Sequence, residues 1–179
     1  MKIEELILEK RKKENRDWHH PQVGRYHASS VYSIVNGDYK PEDFFKPQLL
    51  DDRTIFTFEI GKMYHTHAQS LFPKESVEKK VEIDCGDFKI VGKVDLMLKV
   101  PCELKTCSRI PPRPKIEHIY QMQTYLKGTN HSKGIITYIE KHPTIYRTVN
   151  YEVLFNEETW NTILSKVGVF HKELLKLKH

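Results

Sequence analysis

The sequence predicts an α/β domain, a central mixed β-sheet with helices on its faces. Short runs alternating in polarity with period two recur through the middle of the chain, at Val81-Glu82-Ile83-Asp84, 92–98, 102–106, 133–140 and 144–153. Two longer segments, 116–127 and 157–177, instead repeat apolar residues at helical spacing. The length of 179 residues suits one domain with a continuous core that needs neither disulfides nor a structural metal.

In chain order, residues 1–54 read as an N-terminal helical and loop region. Residues 4–15 are charged with few apolar anchors, a short solvated helix or arm. The stretch from Arg25 leads into Val31, Tyr32, Ile34 and Val35, with Ser29 or Ser30 suited to cap a short helix that stops near Asn36-Gly37. Residues 41–52 look like a loop. The core, 55–155, opens on a partly helical segment at 55–69. Strands follow, the first closed by Cys85-Gly86-Asp87 and the second by the Lys99-Val100-Pro101 turn. The segment 108–115, with Pro111, Pro112 and Pro114, excludes helix and central strand. Ile119, Met122 and Leu126 then mark a helix, two strands succeed it, and Trp160, Ile163, Val167, Phe170 and Leu174 define a covering helix in 156–179.

Composition narrows the function class. Charged residues make up 30% and the formal net charge is +5, a modest surplus that suits a polyanionic partner or plain solubility. The apolar runs are too short to cross a bilayer and Met1-Lys2-Ile3-Glu4-Glu5 lacks the apolar stretch of a signal peptide. A protein of the cytoplasm is expected, the host cell's if the chain is viral. Cys85, Cys102 and Cys107 are odd in number and none has a Cys-x-x-Cys partner, so reduced thiols are the default.

The chemistry concentrates between Gly92 and Thr106. A strand turns successive side chains to opposite faces, so Glu103 and Lys105 share one face while Leu104 packs on the other. If the Lys99-Val100-Pro101 turn makes a hairpin, Asp95 comes opposite the Glu103 region and two carboxylates converge. A hard divalent cation, Mg²⁺ or Mn²⁺, prefers such oxygen ligands and completes its shell with water and substrate phosphate. Lys105 would orient the attacking water and offset charge in the transition state. Leu96, Leu98 and Val100 mark an apolar face that leaves Asp95 on the polar one, though a merely solvated sheet face shows the same alternation. Glu82 could add a carboxylate or simply be solvated. Arg109 and Arg113 leave the Glu-x-Lys strand beside the site, as phosphate contacts or as part of a solvated loop.

Two flanking signals give these residues a family resemblance. Gly61-Lys62-Met63-Tyr64-His65 looks like the Gly-x-x-x-His motif, and Gln121-Met122-Gln123-Thr124-Tyr125 the Gln-x-x-x-Tyr motif, of the RecB-like branch of the PD-(D/E)XK nuclease superfamily. That branch includes the CRISPR-associated iron–sulfur nucleases, and the motif order His65, Asp95, Glu103, Lys105, Gln121, Tyr125 matches over roughly 55–140. The resemblance implies a restriction-endonuclease-like core with Asp95, Glu103 and Lys105 catalytic. It implies Mg²⁺ or Mn²⁺ held by His65, Asp95, Glu103 and the Leu104 backbone carbonyl, with Gln121, Tyr125, His118, Arg109 and Arg113 supporting the active site or contacting the DNA backbone. His67, two residues from His65, competes for the ligand role. The iron–sulfur members place one cysteine before the core and three after the Gln-x-x-x-Tyr helix; no cysteine here precedes 85 or follows 107, so no cluster is expected. The expected activity is a metal-dependent deoxyribonuclease, an exonuclease on single-stranded or linear DNA ends in recombination, repair or viral or mobile-element replication. A structure-specific endonuclease and a non-cleaving DNA-binding or assembly subunit are the alternatives. A homo-oligomer is compatible with either.

Overall fold

A computed structural model describes residues 5, 6, 8–11, 22–46, 50–141 and 147–177. Six strands form one mixed sheet: β1 Arg25–His27, β2 Val77–Asp84, β3 Lys89–Met97, β4 Pro101–Cys107, β5 Lys133–Glu140 and β6 Arg147–Leu154. The α-helices α1 Val31–Asn36, α2 Asp52–Ser70, α3 Ile116–Thr129 and α4 Glu157–Leu177 accompany it. The order across the sheet is β1-β3-β4-β5-β6, with β2 also paired to β3. Parallel pairing of β4 to β5 requires a crossover, which α3 supplies. The expected α/β architecture is therefore the one observed.

Three apolar clusters hold the layers. Tyr26, Phe44, Phe88 and Ile90 pack with Trp160, Ile163, Val167, Phe170 and Leu174 of α4, the stripe its sequence spacing predicts. Met122, Tyr125 and Leu126 of α3 pack with Val81, Val94, Ile136 and Tyr138. On the other face, Ala68 and Tyr64 of α2 pack with Leu96, Cys102, Leu104 and Ile139. No helix among the described residues is long and apolar enough to cross a membrane.

Several local readings differ. Ser30 occupies the position before α1 but its side chain makes no capping bond; side-chain caps do form on α2, where Asp51 accepts from the Thr54 N–H at 2.7 Å, and on α4, where Asn156 accepts from the Thr159 N–H at 2.7 Å. The stretch 41–52 contains a 3₁₀ turn, Pro41–Asp43, and α2 already starts at Asp52; 47–49 lie outside the described residues. β3 ends at Met97 and Leu98 is exposed in the turn, so of the apolar face expected at Leu96, Leu98 and Val100, Leu96 and Val100 pack in one cluster and Leu98 does not. Of the N-terminal arm, residues 5, 6 and 8–11 are helical, with Arg11 paired to Glu59 of α2 at 2.7 Å. The beginning of the expected 144–153 strand also lies outside the described residues.

Candidate active site

The register around β3 opens a gap in the sheet. One edge of β3 is occupied by β2. Along the other edge, β1 pairs at Lys89, Ile90 and Val91, and β4 pairs at Leu96 and Met97. Between them no strand among the described residues faces 92–95. Lys93 and Asp95 lie in this stretch, and each carbonyl accepts a side-chain hydrogen bond. Buried backbone groups must be satisfied, and side chains from both helical layers do it. The Tyr125 hydroxyl of α3 donates to the Lys93 carbonyl at 2.9 Å, and Gln69 Nε2 of α2 donates to the Asp95 carbonyl at 3.4 Å.

β3 also changes face at this gap. Val94 packs on the α3 side, whereas Leu96, two residues on, packs with α2; a regular strand would keep both on one face. Glu78, across from Asp95 on β2, has φ 49°, a left-handed conformation unusual for a residue with a Cβ. The kink turns the Asp95 carboxylate into the gap, where Oδ2 accepts from the Leu104 N–H of β4 at 2.8 Å. The N–H and C=O of one strand residue point to the same edge, so the Leu104 carbonyl faces the gap too. Extending the register of Leu96 with Cys102 sets Asp95 across from Glu103, the convergence expected of a hairpin.

Glu103 is only 3% exposed, and its Oε2 has no hydrogen-bond partner. Its alternation with Leu104 is therefore that of a central strand buried on both faces, and the solvated-face reading does not hold. Burial pushes its carboxyl up to about 7; Lys105 pulls it down and Asp95 raises it further. Its Oε1 accepts from Lys105 Nζ at 2.8 Å. Lys105 Nζ also donates to Gln121 Oε1 at 2.8 Å, and Gln121 Nε2 donates to the Tyr125 hydroxyl at 2.9 Å. A continuous chain thus links the Lys93 carbonyl, Tyr125, Gln121, Lys105 and Glu103, with donation running outward from Lys105 to Glu103 on one side and through Gln121 and Tyr125 to the Lys93 carbonyl on the other. Gly92 makes room for it: a Cβ there would stand 2.8 Å from a Tyr125 ring carbon and 3.0 Å from the Ala28 Cβ. An ammonium has three donors; two are spent, and one is left for a water or a phosphate oxygen.

Among the expected site residues, His65 lies on α2 with Nδ1 3.7 Å from Asp95 Oδ2, whereas His67 is exposed. Gln121 and Tyr125 are buried struts behind Lys105. His118 is turned to the Tyr138 hydroxyl, 2.6 Å from its Nδ1, and that hydroxyl also accepts from the Lys115 N–H. Burial, then Lys105, lowers the His118 pKa to about 4, so it is a neutral clamp at the start of α3. Arg109 and Arg113 are exposed on the loop after β4. Glu82 is outside the site, tied to Lys89 and Arg25 on the surface at 2.7 and 3.0 Å. Cys102 is buried, and burial raises its thiol to about 11.

Among the described residues, no three His, Cys, Asp or Glu side chains close into a ready-made metal cage. The donors still fit a hard cation. A buried carboxylate with an unmatched oxygen, a second carboxylate and a backbone carbonyl are all oxygen ligands, and Mg²⁺ fills the rest of its shell with water and phosphate. Beside them runs a cleft of about 440 Å³, lined by Phe58, Lys62, His65, Asp95, Thr106 and Lys141 among others. Its walls were not legible in the sequence, because they come from α2, β4 and the end of β5. A shallow depression over Glu158, Asn161 and Ser165 on α4 is larger, about 520 Å³, but holds no comparable chemistry.

No family model matches the chain, and no curated protein matches its sequence. Solved structures do match its fold. The crystal structure of SSO0001 is 21% identical over 99% of this chain and 87% of that one, with a TM-score of 0.67. The alkaline exonuclease LHK-Exo from Laribacter hongkongensis is 16% identical over 90% of this chain and 95% of that one, TM-score 0.56. A phage-related exonuclease from Haemophilus somnus 129PT is 16% identical over 93% of this chain and 100% of that one, TM-score 0.51. The α/β architecture of the chain is shared with these two exonucleases.

Proposed function

We propose that the protein is a divalent-metal-dependent deoxyribonuclease of the PD-(D/E)XK type, RecB-like in its motif order, acting as an exonuclease on DNA ends. The observation that carries this reading is the buried, unmatched Oε2 of Glu103 beside Asp95 and a fixed lysine. A carboxylate without a partner costs stability unless a cation meets it. Asp95, Glu103 and the Leu104 carbonyl would hold Mg²⁺ or Mn²⁺, with His65 at the rim. Such a cation, when bound, supplies Lewis acidity toward the phosphate and lowers the pKa of water. The fold shared with two exonucleases supports the reaction class.

The chain's own residues then have distinct tasks. Asp95 is held in place by the Leu104 N–H. Lys105 is fixed by Glu103 and Gln121, so its ammonium is set in place before substrate arrives. Its remaining hydrogen orients a water or a phosphate oxygen, and its charge offsets the negative charge that grows on the phosphorus oxygens. Tyr125 and Gln121 are positioning residues, acting through Lys105.

The test is cleavage of end-labelled linear single-stranded DNA and of closed circular DNA, with Mn²⁺, Mg²⁺ or EDTA. Metal-dependent loss of the linear substrate alone, abolished in Glu103→Ala, is the expected result. Cutting of the circle would make the enzyme an endonuclease. No cleavage of either substrate, with DNA binding intact, would favour a structural subunit.

A further inference from the structure

One face of α2 carries more than the motif histidine. Phe58, Lys62, His65 and Gln69 follow one another at i, i+4, i+7 and i+11, so they form a single stripe along the helix. That stripe is one wall of the cleft that ends at Asp95. Gly61 keeps the wall close to the sheet, since a Cβ there would stand 3.0 Å from Thr106 Oγ1. At the outer end of the stripe Phe58 is 57% exposed, a large aromatic ring facing solvent in a cleft whose other functional groups are polar. Lys62 and Lys141 line the same cleft, and the acidic Glu78 at its edge is engaged by Lys93 at 2.9 Å. An exposed ring in a cleft that also carries cations matches a chain of π-faced bases joined by phosphates.

We propose that Phe58 is a stacking platform for an unpaired base, and that the cleft admits single-stranded rather than duplex DNA to the Asp95–Glu103 centre. This rests on the nuclease reading and names its substrate. Seven residues of α2 separate Phe58 from His65, about 10 Å along the axis, so the stacked base belongs to the same strand as the scissile phosphate, a few nucleotides away. Bases in a duplex already stack on one another and cannot offer a face to a side chain without leaving the helix. A cleft of about 440 Å³ is on the scale of a small-ligand site, with room for an unpaired nucleotide. Lys62 and Lys141 contact the phosphates on either side.

The experiment uses the full chain carrying Glu103→Gln, which blocks turnover so that binding is read. Fluorescence anisotropy is measured on a single-stranded oligonucleotide and on its blunt duplex. A 2-aminopurine base is moved along the single strand to report stacking. Adding Phe58→Ala or Phe58→Leu is expected to weaken single-strand binding about 5- to 100-fold, and to remove the quenching of 2-aminopurine at one position. Phe58→Trp restores both, and duplex binding changes by less than about twofold. Single-strand binding left unchanged by Phe58→Ala, or equal losses on single strand and duplex, would overturn the proposal. Cleavage by the unsubstituted protein is assayed in parallel. Phe58-dependent quenching without any cleavage would sink the nuclease reading alone, and cleavage without Phe58-dependent quenching would sink the stacking alone.

Discussion

Two tyrosines, Tyr26 and Tyr125, are each 2% exposed, yet their hydroxyls serve different ends. Tyr26 sits among Phe44, Phe88 and Phe170 in edge-to-face contacts, and its hydroxyl meets His171 Nδ1 at 2.7 Å. That polar pair closes on itself inside an aromatic shell. Tyr125 instead begins a chain that ends on a carboxylate oxygen with no partner. In the first region polar groups are satisfied and the energy goes into the fold. In the second, satisfaction stops one step short, and the missing partner is what a cation or substrate supplies.

The contrast can be broken most sharply with one change on each side. Asp95→Ala or Glu103→Ala is expected to lower metal-dependent cleavage about a thousandfold or more while the protein still melts cooperatively. Phe170→Ala should do the reverse, costing roughly 3–5 kcal/mol of stability in a denaturant titration, with cleavage per folded molecule retained. The chain between the regions is sharpened next. Gln121→Ala releases Lys105 and should cut kcat about 10- to 100-fold, with less effect on DNA binding; equal effects on both would make Gln121 a DNA contact. Gly92→Ala drives a Cβ toward the Tyr125 ring and should cost about 1–3 kcal/mol of stability and lower cleavage as well, because the hydroxyl it displaces holds Gln121.

The smallest effect concerns pH. His118 is held near a pKa of about 4 by burial and Lys105, below its ordinary value of 6.5. Above about 6.5 the ring is neutral in both the folded and the unfolded chain, so this stability is fully present there. As pH falls from about 6.5 toward about 4, the unfolded chain takes up a proton that the folded one refuses, and stability is lost. Melting temperatures across that window should fall less steeply in His118→Gln than in the unsubstituted protein.

Much of this was legible in the sequence. The alternation around Glu103 and Lys105, the hairpin at Lys99-Val100-Pro101 and the helical stripes of α3 and α4 depend on local spacing, and they appear where that spacing sets them. The extent of β5, Lys133–Glu140, is the one its alternation predicts. What escaped depends on contacts between distant segments. β1 is three residues long and exists because β3 offers an edge. The gap it leaves with β4 has no signature in any one stretch, so neither the bond from the Leu104 N–H to Asp95 nor the Tyr125 bond to the Lys93 carbonyl can be read from spacing. Periodicity also placed Asp95 on a regular polar face, whereas β3 is kinked there, opposite the strained Glu78. For Gln121 and Tyr125 helical spacing leaves open contact with the active site or with the DNA backbone; they fill the interior behind a lysine.

The central claim is that the open oxygen of Glu103 belongs to a divalent cation, and it can be tested without knowing the right DNA substrate. Thermal melting of the unsubstituted protein and of Glu103→Gln would be followed as Mn²⁺ is raised from an EDTA-treated baseline. A ligand bound only to the folded state stabilises it by about 2.7 kcal/mol at a hundred times its Kd, so the melting temperature of the unsubstituted protein should climb with Mn²⁺ while that of Glu103→Gln stays nearly flat. An equal climb in both proteins would place the cation elsewhere and contradict the account.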